Sequence, residues 1–252
     1  MRGWWREIAG LVLPVACAGC GCSRTRLCDT CGHALYGGAA GRVRPVPMPA
    51  GLPDVHAAAP YTDAVRAVLL AHKERGAIGL ARPLGAALAA AVQAAVRPHG
   101  AVRGAPLLLV PVPSARPAVR ARGHDAVRRV AVAAAAELRR SGTPARALPV
   151  LRHRRRVADQ AGLGARERLA NMTGALTVVA GAGPVLAGGR IVVVDDLMTT
   201  GASLVEASRA LSAACAPPAP GLTAMAAAVV AAPADAFAPH RPGTRGTPGG
   251  PG

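Results

Sequence analysis

A run of branched hydrophobic residues that ends in two adjacent aspartates constrains the fold of this 252-residue chain more than any other feature. Residues 191–194 read Ile-Val-Val-Val, which is typical of a strand covered on both faces of a parallel sheet. Asp195 and Asp196 follow at once, and a hydroxyl- and glycine-containing turn then opens a predicted helix over residues 202–214. Open α/β sheets bind ligands at the carboxyl ends of their strands. The run therefore predicts a ligand site at the end of this strand.

The turn after the aspartates has the composition of a phosphate site. Its residues are Met198, Thr199, Thr200, Gly201, Ala202 and Ser203. Backbone N–H groups, the helix dipole and three hydroxyls at a helix N-terminus favour an anion. Two acids beside such a turn suit a sugar phosphate, with the acids on ribose hydroxyls and the turn on the 5′-phosphate. A Walker B strand would also end in acids, but the only lysine, Lys73, lies in His72-Lys73-Glu74, so the chain has no Walker A motif.

Composition narrows the class of protein. The length allows one large domain, or one domain with a small module, and the 51% hydrophobic content is ample for a core. The net charge of +17, carried by arginines and one lysine, favours phosphates, nucleic acid or acidic lipid surfaces, unless it is only a dispersed solubilising charge. No uncharged apolar span reaches the roughly 18 residues of a transmembrane helix, and the first 15 residues make no convincing secretory signal. The sequence predicts a cytoplasmic protein without membrane insertion.

Five of the six cysteines lie between residues 17 and 31. Two C-x-x-C knuckles can place four thiolates around a structural Zn²⁺ ion, and clustering in a cytoplasmic chain favours metal over disulfides. The predicted ligands are Cys17, Cys20, Cys28 and Cys31. Cys22 could replace Cys20 in this set, and His33 could compete for a position.

Composition and periodicity divide the chain into four parts. They are an N-terminal zinc-knuckle module (1–36), a Gly/Pro-rich linker (37–60), an α/β domain (61–232) and a disordered tail (233–252). Within the domain, the predicted helices cover residues 61–72, an Ala-rich stretch that ends at residue 96, residues 125–140 and residues 202–214. The predicted strands cover residues 107–112, 147–151, 175–179, 189–195 and 222–230. Strands that alternate with helices imply a doubly wound, mostly parallel sheet.

Three further blocks carry a resemblance to a known family. They run from Tyr61-Thr62-Asp63 to His72-Lys73-Glu74-Arg75-Gly76, from Val110-Pro111-Val112-Pro113-Ser114 to Arg120-Ala121-Arg122-Gly123-His124-Asp125, and from Leu151-Arg152 to Arg166-Glu167-Arg168-Leu169-Ala170-Asn171-Met172-Thr173-Gly174-Ala175. In order with the cysteine knuckles and the aspartate run, they resemble the ComF family of bacterial phosphoribosyltransferase-like proteins, whose founding members are linked to competence and DNA uptake. His124 stands where the family usually has an aromatic residue, Asp125 where it has an amide, and Glu74 where an aromatic follows the lysine.

The resemblance implies the type I phosphoribosyltransferase fold and binding of phosphoribosyl pyrophosphate (PRPP) with Mg²⁺. Asp195 and Asp196 would be catalytic and bind the ribose, and residues 198–203 would hold the 5′-phosphate. The residues expected on the pyrophosphate side or in a lid are Lys73, Pro113, Ser114, Arg120, Arg122, Arg152 and Arg168. The arginine-rich stretch 152–168 resembles a loop that closes over the ligand, and a solvated basic loop or a nucleic-acid contact is the alternative.

Three functions are compatible with these features. The first is an enzyme that transfers the phosphoribosyl group to a nucleobase-like acceptor, although no residue marks which base it accepts. The second is a non-catalytic accessory protein of DNA uptake that binds single-stranded DNA or a competence helicase. The third is a regulator that binds PRPP or a nucleotide, which ranks last because no helix-turn-helix signature is evident.

Overall fold

The computed structural model describes residues 15–97, 105–155, 164–215 and 225–237. The strands in these ranges are β1 (Gly41–Val43), β2 (Asp54–Pro60), β3 (Leu107–Pro111), β4 (Ala145–Ala147), β5 (Leu151–His153), β6 (Leu176–Val178), β7 (Arg190–Leu197) and β8 (Ala226–Ala232). The α-helices are α1 (Asp29–Tyr36), α2 (Asp63–Glu74), α3 (Ala81–Val96), α4 (Arg116–Arg122), α5 (Ala126–Arg140), α6 (Ala165–Met172), α7 (Gly183–Ala187) and α8 (Ala202–Ala214).

Six strands form one sheet in the order β1-β2-β8-β7-β3-β4. Every neighbouring pair is parallel except β1 and β2, which are antiparallel. β7 lies inside the sheet and its residues 192–194 are fully buried, as a branched hydrophobic run requires. β5 and β6 form a separate antiparallel pair. The predicted α/β fold with a mostly parallel sheet is confirmed.

Helices cover both faces of the sheet. On one face, α2, α3 and α5 pack on side chains such as Leu109 and Val192. On the other face, α8 packs on alternate side chains such as Leu108 and Val193. α3 and α5 approach closely at Gly85, where a Cβ atom would lie 2.5 Å from that of Ala133.

The strand order reverses between β3 and β7. The chain leaves β3 towards β4 through α4 and α5, whereas it leaves β7 towards β8, on the other side, through α8. α5 and α8 cover opposite faces, so a crevice opens between the carboxyl ends of β3 and β7. Open α/β sheets bind their ligands at such a reversal. The predicted site residues follow these two strands.

The segment 37–60 is not a simple linker, because it contains β1 and β2. β2 pairs with β8 in parallel and buries Val55, Ala57 and Ala59. Its glycines and prolines fall in the turns, and its small side chains carry too little periodicity to reveal the strand. The strand predicted over 147–151 is also divided, since β4 ends at Ala147 and β5 begins at Leu151.

The structure near the two chain termini differs from the predicted separate cysteine module and disordered tail. Leu35 of α1 is fully buried in the same core as α2 and α3, so this part of the cysteine module shares the core of the α/β domain. Of the predicted disordered tail, Ala234–Ala236 form a short 3-10 helix and Phe237 bridges Val43. The remainder of the tail, residues 238–252, and residues 1–14 lie outside the described ranges.

Among the described residues, one helical stretch, Ile78–Val96, has the length and apolarity to cross a membrane. Half of its most apolar window is buried inside the protein. Since α3 packs on α5 and on the sheet, the stretch is accounted for as a core helix.

Candidate functional site

The two aspartates lie at the carboxyl end of β7, with Lys73 of α2 beside them. Asp196 is only 7% exposed, and its Oδ2 atom is 2.7 Å from Nζ of Lys73. Asp195 is half-buried, and its Oδ1 atom accepts a hydrogen bond from the backbone N–H of Asp196 at 2.8 Å. The prediction placed Lys73 on the pyrophosphate side, but the structure pairs it with a carboxylate.

The charges of this cluster make the two carboxyl groups inequivalent. Burial raises the pKa of Asp195 well above its usual value, and the adjacent Asp196 raises it further. Burial opposes the charge of Lys73, but the carboxylates of Asp196 and Asp195 outweigh that effect and raise the pKa of Lys73. Asp196 thus has its own cationic partner, and Asp195 takes up a proton more readily than an ordinary aspartate does.

Arg122 positions Lys73 rather than facing the crevice as a free cation. Its Nη1 atom donates to the backbone carbonyl of Lys73 at 3.1 Å and pairs with Oε1 of Glu74 at 3.2 Å. A cation at this position neutralises the carbonyl groups that are left unpaired at the C-terminus of α2. Nε donates to the carbonyl oxygen of Ala118, so two of the three guanidinium nitrogens are engaged within the protein, and the binding of pyrophosphate by Arg122 stays a prediction.

Two buried histidines fix the same region, a role that no motif in the sequence indicates. His72 is 2% and His124 8% exposed, and their ring centroids are 5.9 Å apart. Nε2 of His124 lies 3.3 Å from the carbonyl oxygen of His72, and Nε2 of His72 lies 3.3 Å from that of Ala126. Burial lowers the pKa of His72. The rings join the end of α2 to the start of α5, a contact between segments more than 50 residues apart.

The hydroxyl turn leads directly into α8. Gly201 has φ +78°, and a Cβ atom there would lie 2.7 Å from Cδ1 of Leu52, so only glycine suits the position. The first amides of α8, including that of Ser203, have no carbonyl four residues before them within the helix and so can face an anion. The Oγ1 atom of the exposed Thr199 accepts a hydrogen bond from Nη1 of Arg168 at 3.1 Å.

Met198 differs from the rest of the predicted turn. Its side chain is 1% exposed and lies in the core beneath α8. Its N–H donates to the carbonyl oxygen of Ala231 at 3.0 Å. Met198 therefore anchors the turn to β8 instead of offering a donor to a ligand, and the buried Ala202 contributes backbone alone.

A basic cleft opens beside the end of β3. It consists of a cavity of about 610 Å³ and an adjoining one of about 310 Å³, which share Arg116, Arg120 and His153. The other residues that line the two cavities are Pro113, Ser114, Ala115, Pro117, Val119, Asp125, Leu151, Arg152, Arg154 and Arg155. β3 and β7 pair at Pro111 and Val194, so the basic cleft and the aspartates begin at neighbouring points on the sheet edge.

Short contacts shape the basic cleft. Nε2 of His153 lies 3.0 Å from the carbonyl oxygen of Pro113, and the hydroxyl of Ser114 donates to Asp125 at 3.2 Å. Asp125 also caps α5 by accepting from the N–H of Arg128. Ser114, Arg120 and Arg152, which were predicted on the pyrophosphate side or in a lid, line one of the two cavities. Arg116 and His153 were missing from the predicted site, although Arg116 follows Ser114 in the same sequence block. Residues 156–163 of the predicted lid lie outside the described ranges.

The cysteine module holds a compact cluster of thiols. The Sγ atoms of the four predicted ligands, Cys17, Cys20, Cys28 and Cys31, lie within 4.8 Å of one another. A tetrahedral site with Zn–S bonds of about 2.3 Å separates its sulfurs by about 3.8 Å. Sγ of Cys28 is 3.7 Å from that of Cys17 and 3.6 Å from that of Cys20. The four cysteines could hold a metal such as zinc.

Cys22 and His33 do not belong to this cluster. Burial opposes ionisation of Cys17, but the backbone N–H groups of Cys20, Cys28 and Gly19 outweigh it and lower the pKa of Cys17 to about 6. In contrast, the side chain of Cys20 is the main cause that raises the pKa of Cys22 to about 12. The environment therefore favours a thiolate at Cys17 and a thiol at Cys22.

No protein-family model, curated protein or solved structure matches this chain. The assignment of a function consequently depends on the geometry of the site and on the motifs that the sequence carries.

Proposed function

We propose that this chain is a ComF-like phosphoribosyltransferase that binds Mg-PRPP and transfers the phosphoribosyl group to a nucleobase-like acceptor. One observation carries the proposal: two aspartates and a hydroxyl turn at a helix N-terminus adjoin a basic cleft where the strand order reverses. A carboxylate pair, a phosphate turn and a cationic cleft are the three parts that ribose, 5′-phosphate and pyrophosphate require.

The aspartates act on the sugar. Asp195 and Asp196 accept hydrogen bonds from the ribose 2′- and 3′-hydroxyls. The negative charge of Asp196, together with that of Asp195 in its ionised form, stabilises the oxocarbenium-like transition state as the C1′–pyrophosphate bond breaks. Lys73 offsets the cost of burying Asp196 before the sugar arrives. Its ammonium group then lies beside the sugar, where it also offsets charge on the leaving group.

The turn and the basic cleft bind the two ends of the substrate. The amides at the start of α8 and the hydroxyls of Thr199, Thr200 and Ser203 hold the 5′-phosphate. Arg116, Arg120 and Arg152 bind the pyrophosphate, because guanidinium groups match phosphate oxygens bidentately. Mg²⁺ enters as part of the Mg-PRPP substrate and neutralises the pyrophosphate oxygens. Ser114, which lines the basic cleft at the end of β3, would lie on the pyrophosphate side of the bound substrate.

The four-cysteine cluster holds a structural Zn²⁺ ion. A site closed by four thiolates leaves no position for water, so the ion contributes to folding and not to the transfer. The pairwise sulfur distances of 3.6 and 3.7 Å support this assignment.

Calorimetric titration of the zinc-loaded protein with PRPP and Mg²⁺ tests the proposal. We expect a dissociation constant on the order of micromolar for the wild type, corresponding to about −8 kcal/mol. Binding should be lost in the Asp195→Asn/Asp196→Asn double variant. Asp54→Asn is the matched control. Asp54 begins β2, so it lies at the amino ends of the parallel strands, away from the aspartates, and it pairs with Arg42 there.

Absence of binding to the folded wild type would refute the enzyme proposal. Equal binding by the wild type and the double variant would show that the aspartates are not part of the site. A positive result would justify a screen of acceptor bases, read out as release of pyrophosphate.

The basic cleft also supports a second candidate, an accessory protein that binds single-stranded nucleic acid. Arg116, Arg120, Arg152 and Arg154 are exposed, and the cavities they line exceed the volume of one pyrophosphate. This function predicts binding to single-stranded DNA that falls steeply with salt and needs no turnover of PRPP. DNA affinity that survives Arg116→Gln/Arg120→Gln would contradict it.

A further inference from the structure

Arg168 lies apart from the arginines of the basic cleft, which are the ones proposed to bind pyrophosphate. The sequence placed it with Arg120 and Arg152, but its Nη1 atom donates to Oγ1 of Thr199, in the turn between β7 and α8. The basic cleft begins at the end of β3, and Arg168 does not line either of its cavities. We infer that Arg168 is the specificity-determining cation for the 5′-phosphate, which it binds together with the hydroxyl turn. This inference rests on the proposed function.

The guanidinium group has donors left for a ligand. Its five N–H groups form a rigid fork, and the bond to Thr199 uses one of them. Nε is shielded from solvent and has no hydrogen-bond partner within the described parts of the chain. A buried donor without a partner costs free energy, so a shift of the side chain that brings Nε to an anion beside Thr199 would relieve that cost. A phosphate oxygen is the acceptor that a guanidinium fork matches best.

The position of Arg168 is fixed by the packing of α6. Nη2 of Arg155 donates to the carbonyl oxygens of Asn171 and Thr173 at 2.8 and 2.9 Å, at the C-terminus of the helix. Met172 is buried in the core beneath α8. At the other end, the carboxylate of Glu167 accepts from the N–H of Gly164 at 2.7 Å. Both ends of α6 are therefore held, and Arg168 is presented to the turn by a fixed element.

The location of Arg168 predicts selectivity for a phosphorylated sugar. The amides of a helix N-terminus bind any small anion, whereas a guanidinium fork added on one side favours a doubly charged phosphate with several free oxygens. A monophosphate ester such as the 5′ end of PRPP has three such oxygens. A sugar without the phosphate would gain nothing from Arg168, so the residue separates phosphorylated from unphosphorylated ribose.

Three probes distinguish the two ends of the substrate. We compare binding of ribose 5-phosphate, inorganic pyrophosphate with Mg²⁺, and PRPP with Mg²⁺ to the zinc-loaded full chain by calorimetry. The variants are Arg168→Gln and Arg168→Lys, and Arg129→Gln is the control, since Arg129 is an exposed arginine on α5 that does not line the basic cleft. Circular dichroism and the thermal midpoint establish that each variant is folded.

We expect Arg168→Gln to weaken ribose 5-phosphate and PRPP by about ten- to a hundredfold, the range of a charge-assisted hydrogen bond, and to leave pyrophosphate unchanged. Arg168→Lys should recover part of the loss, because it restores the charge without the fork. Unchanged pyrophosphate binding also shows that the remaining site is intact in the variant.

Two results would overturn the inference while leaving the proposed function in place. Loss of pyrophosphate affinity with ribose 5-phosphate unaffected would assign Arg168 to the pyrophosphate side. No change with any probe would make the contact with Thr199 purely structural. If the wild type binds neither ribose 5-phosphate nor PRPP, the proposed function fails together with the inference.

Discussion

Lys73 is the residue on which the charge balance of the site depends. It is the only lysine in the chain, it sits 2.7 Å from Asp196, and both aspartates stabilise its ammonium form. A raised pKa means that little neutral amine is present near pH 8, and the neutral amine is the form that reacts with acylating reagents.

We therefore predict that Lys73 is acylated slowly in the wild type and faster in Asp196→Asn. Removal of the carboxylate lowers the pKa of Lys73 and increases the neutral fraction at a given pH. Peptide mapping by mass spectrometry separates Lys73 from the N-terminal amine and gives both rates in one sample. Asp195→Asn should accelerate the reaction less, because Asp195 stabilises the ammonium group of Lys73 by its charge alone, whereas Asp196 also forms a hydrogen bond with it. Equal rates in all three proteins would contradict the pairing.

Site residues that are close together in the sequence could be predicted from the sequence alone. Asp195, Asp196 and Thr199 lie within one short segment, so strand, turn and helix periodicity place them together without knowledge of the fold. The contact of Arg122 with the carbonyl of Lys73 could not be predicted from the sequence, because the two residues are 49 positions apart. A motif shows that an arginine is near the site, but only the folded chain shows which of its donors are already used.

At the scale of elements, the cysteine module supports the helix that carries Lys73. A Cβ atom on Gly19 would lie 2.5 Å from Sγ of Cys31 and 3.5 Å from the carbonyl oxygen of Ala64, so the knuckle backbone rests on the first turn of α2. A metal ion held by the four cysteines would therefore be coupled to the placement of α2 through direct packing.

We predict that Cys28→Ser abolishes zinc binding and lowers the thermal midpoint, because Cys28 has short sulfur contacts to both Cys17 and Cys20. Cys22→Ser is the matched control and should retain one zinc ion per chain, since Cys22 lies outside the cluster. Metal analysis of the purified proteins measures the zinc content. Zinc retained in Cys28→Ser but lost in Cys22→Ser would show that the ligand set includes Cys22.

Glu206 joins α8 to the β5–β6 pair. It is buried, accepts from the N–H of Leu176 at 2.9 Å and pairs with Arg209 at 2.7 Å. Burial opposes its charge, but Arg209 and the backbone N–H groups of Leu176 and Gly174 outweigh burial and lower the pKa of Glu206. A carboxylate with a lowered folded-state pKa stabilises the fold above its ordinary pKa, and that contribution is lost as the pH falls through the folded-state pKa.

Glu206→Gln should therefore lower the free energy of unfolding by about 1 to 3 kcal/mol at pH 7, the range for hydrogen bonds to charged groups. As the pH is lowered below 5, the free energy of unfolding should also fall less for the variant than for the wild type. Urea unfolding at several pH values measures both effects. Glu137→Gln removes a solvent-exposed pair with Arg140 and should change stability by less than about 1 kcal/mol. Parallel pH profiles for wild type and Glu206→Gln would refute the assignment.

At the scale of the whole molecule, the parallel sheet followed from the alternation of hydrophobic strands and amphipathic helices, and β3 and β7 were predicted almost at their true bounds. β2 was not, because Ala57, Ala58 and Ala59 are apolar without being branched, and prolines flank them on both sides. Their burial depends on pairing with β8, which lies some 170 residues away in the chain. Strands of small residues are recognised through their partners, which local periodicity does not contain.

The net charge of +17 affects both stability and ligand binding. Like charges repel in the compact state, so added salt should raise the thermal midpoint by screening alone. An anion that binds the native cleft adds a separate contribution, which depends on its own dissociation constant and not on ionic strength. The two effects can be separated by comparing anions at matched ionic strength.

We predict that Mg²⁺-pyrophosphate raises the thermal midpoint more than sodium chloride of the same ionic strength. At one hundred times the dissociation constant the gain is about 2.7 kcal/mol, which is about 5 to 10 °C for a domain of this size. Arg116→Gln/Arg120→Gln should abolish the excess, because both arginines line the two cavities of the basic cleft. Arg128→Gln/Arg129→Gln removes the same charge from the exposed face of α5 and should keep it. If both double variants lose the excess equally, pyrophosphate responds to the total charge of the molecule and the basic cleft is not its site.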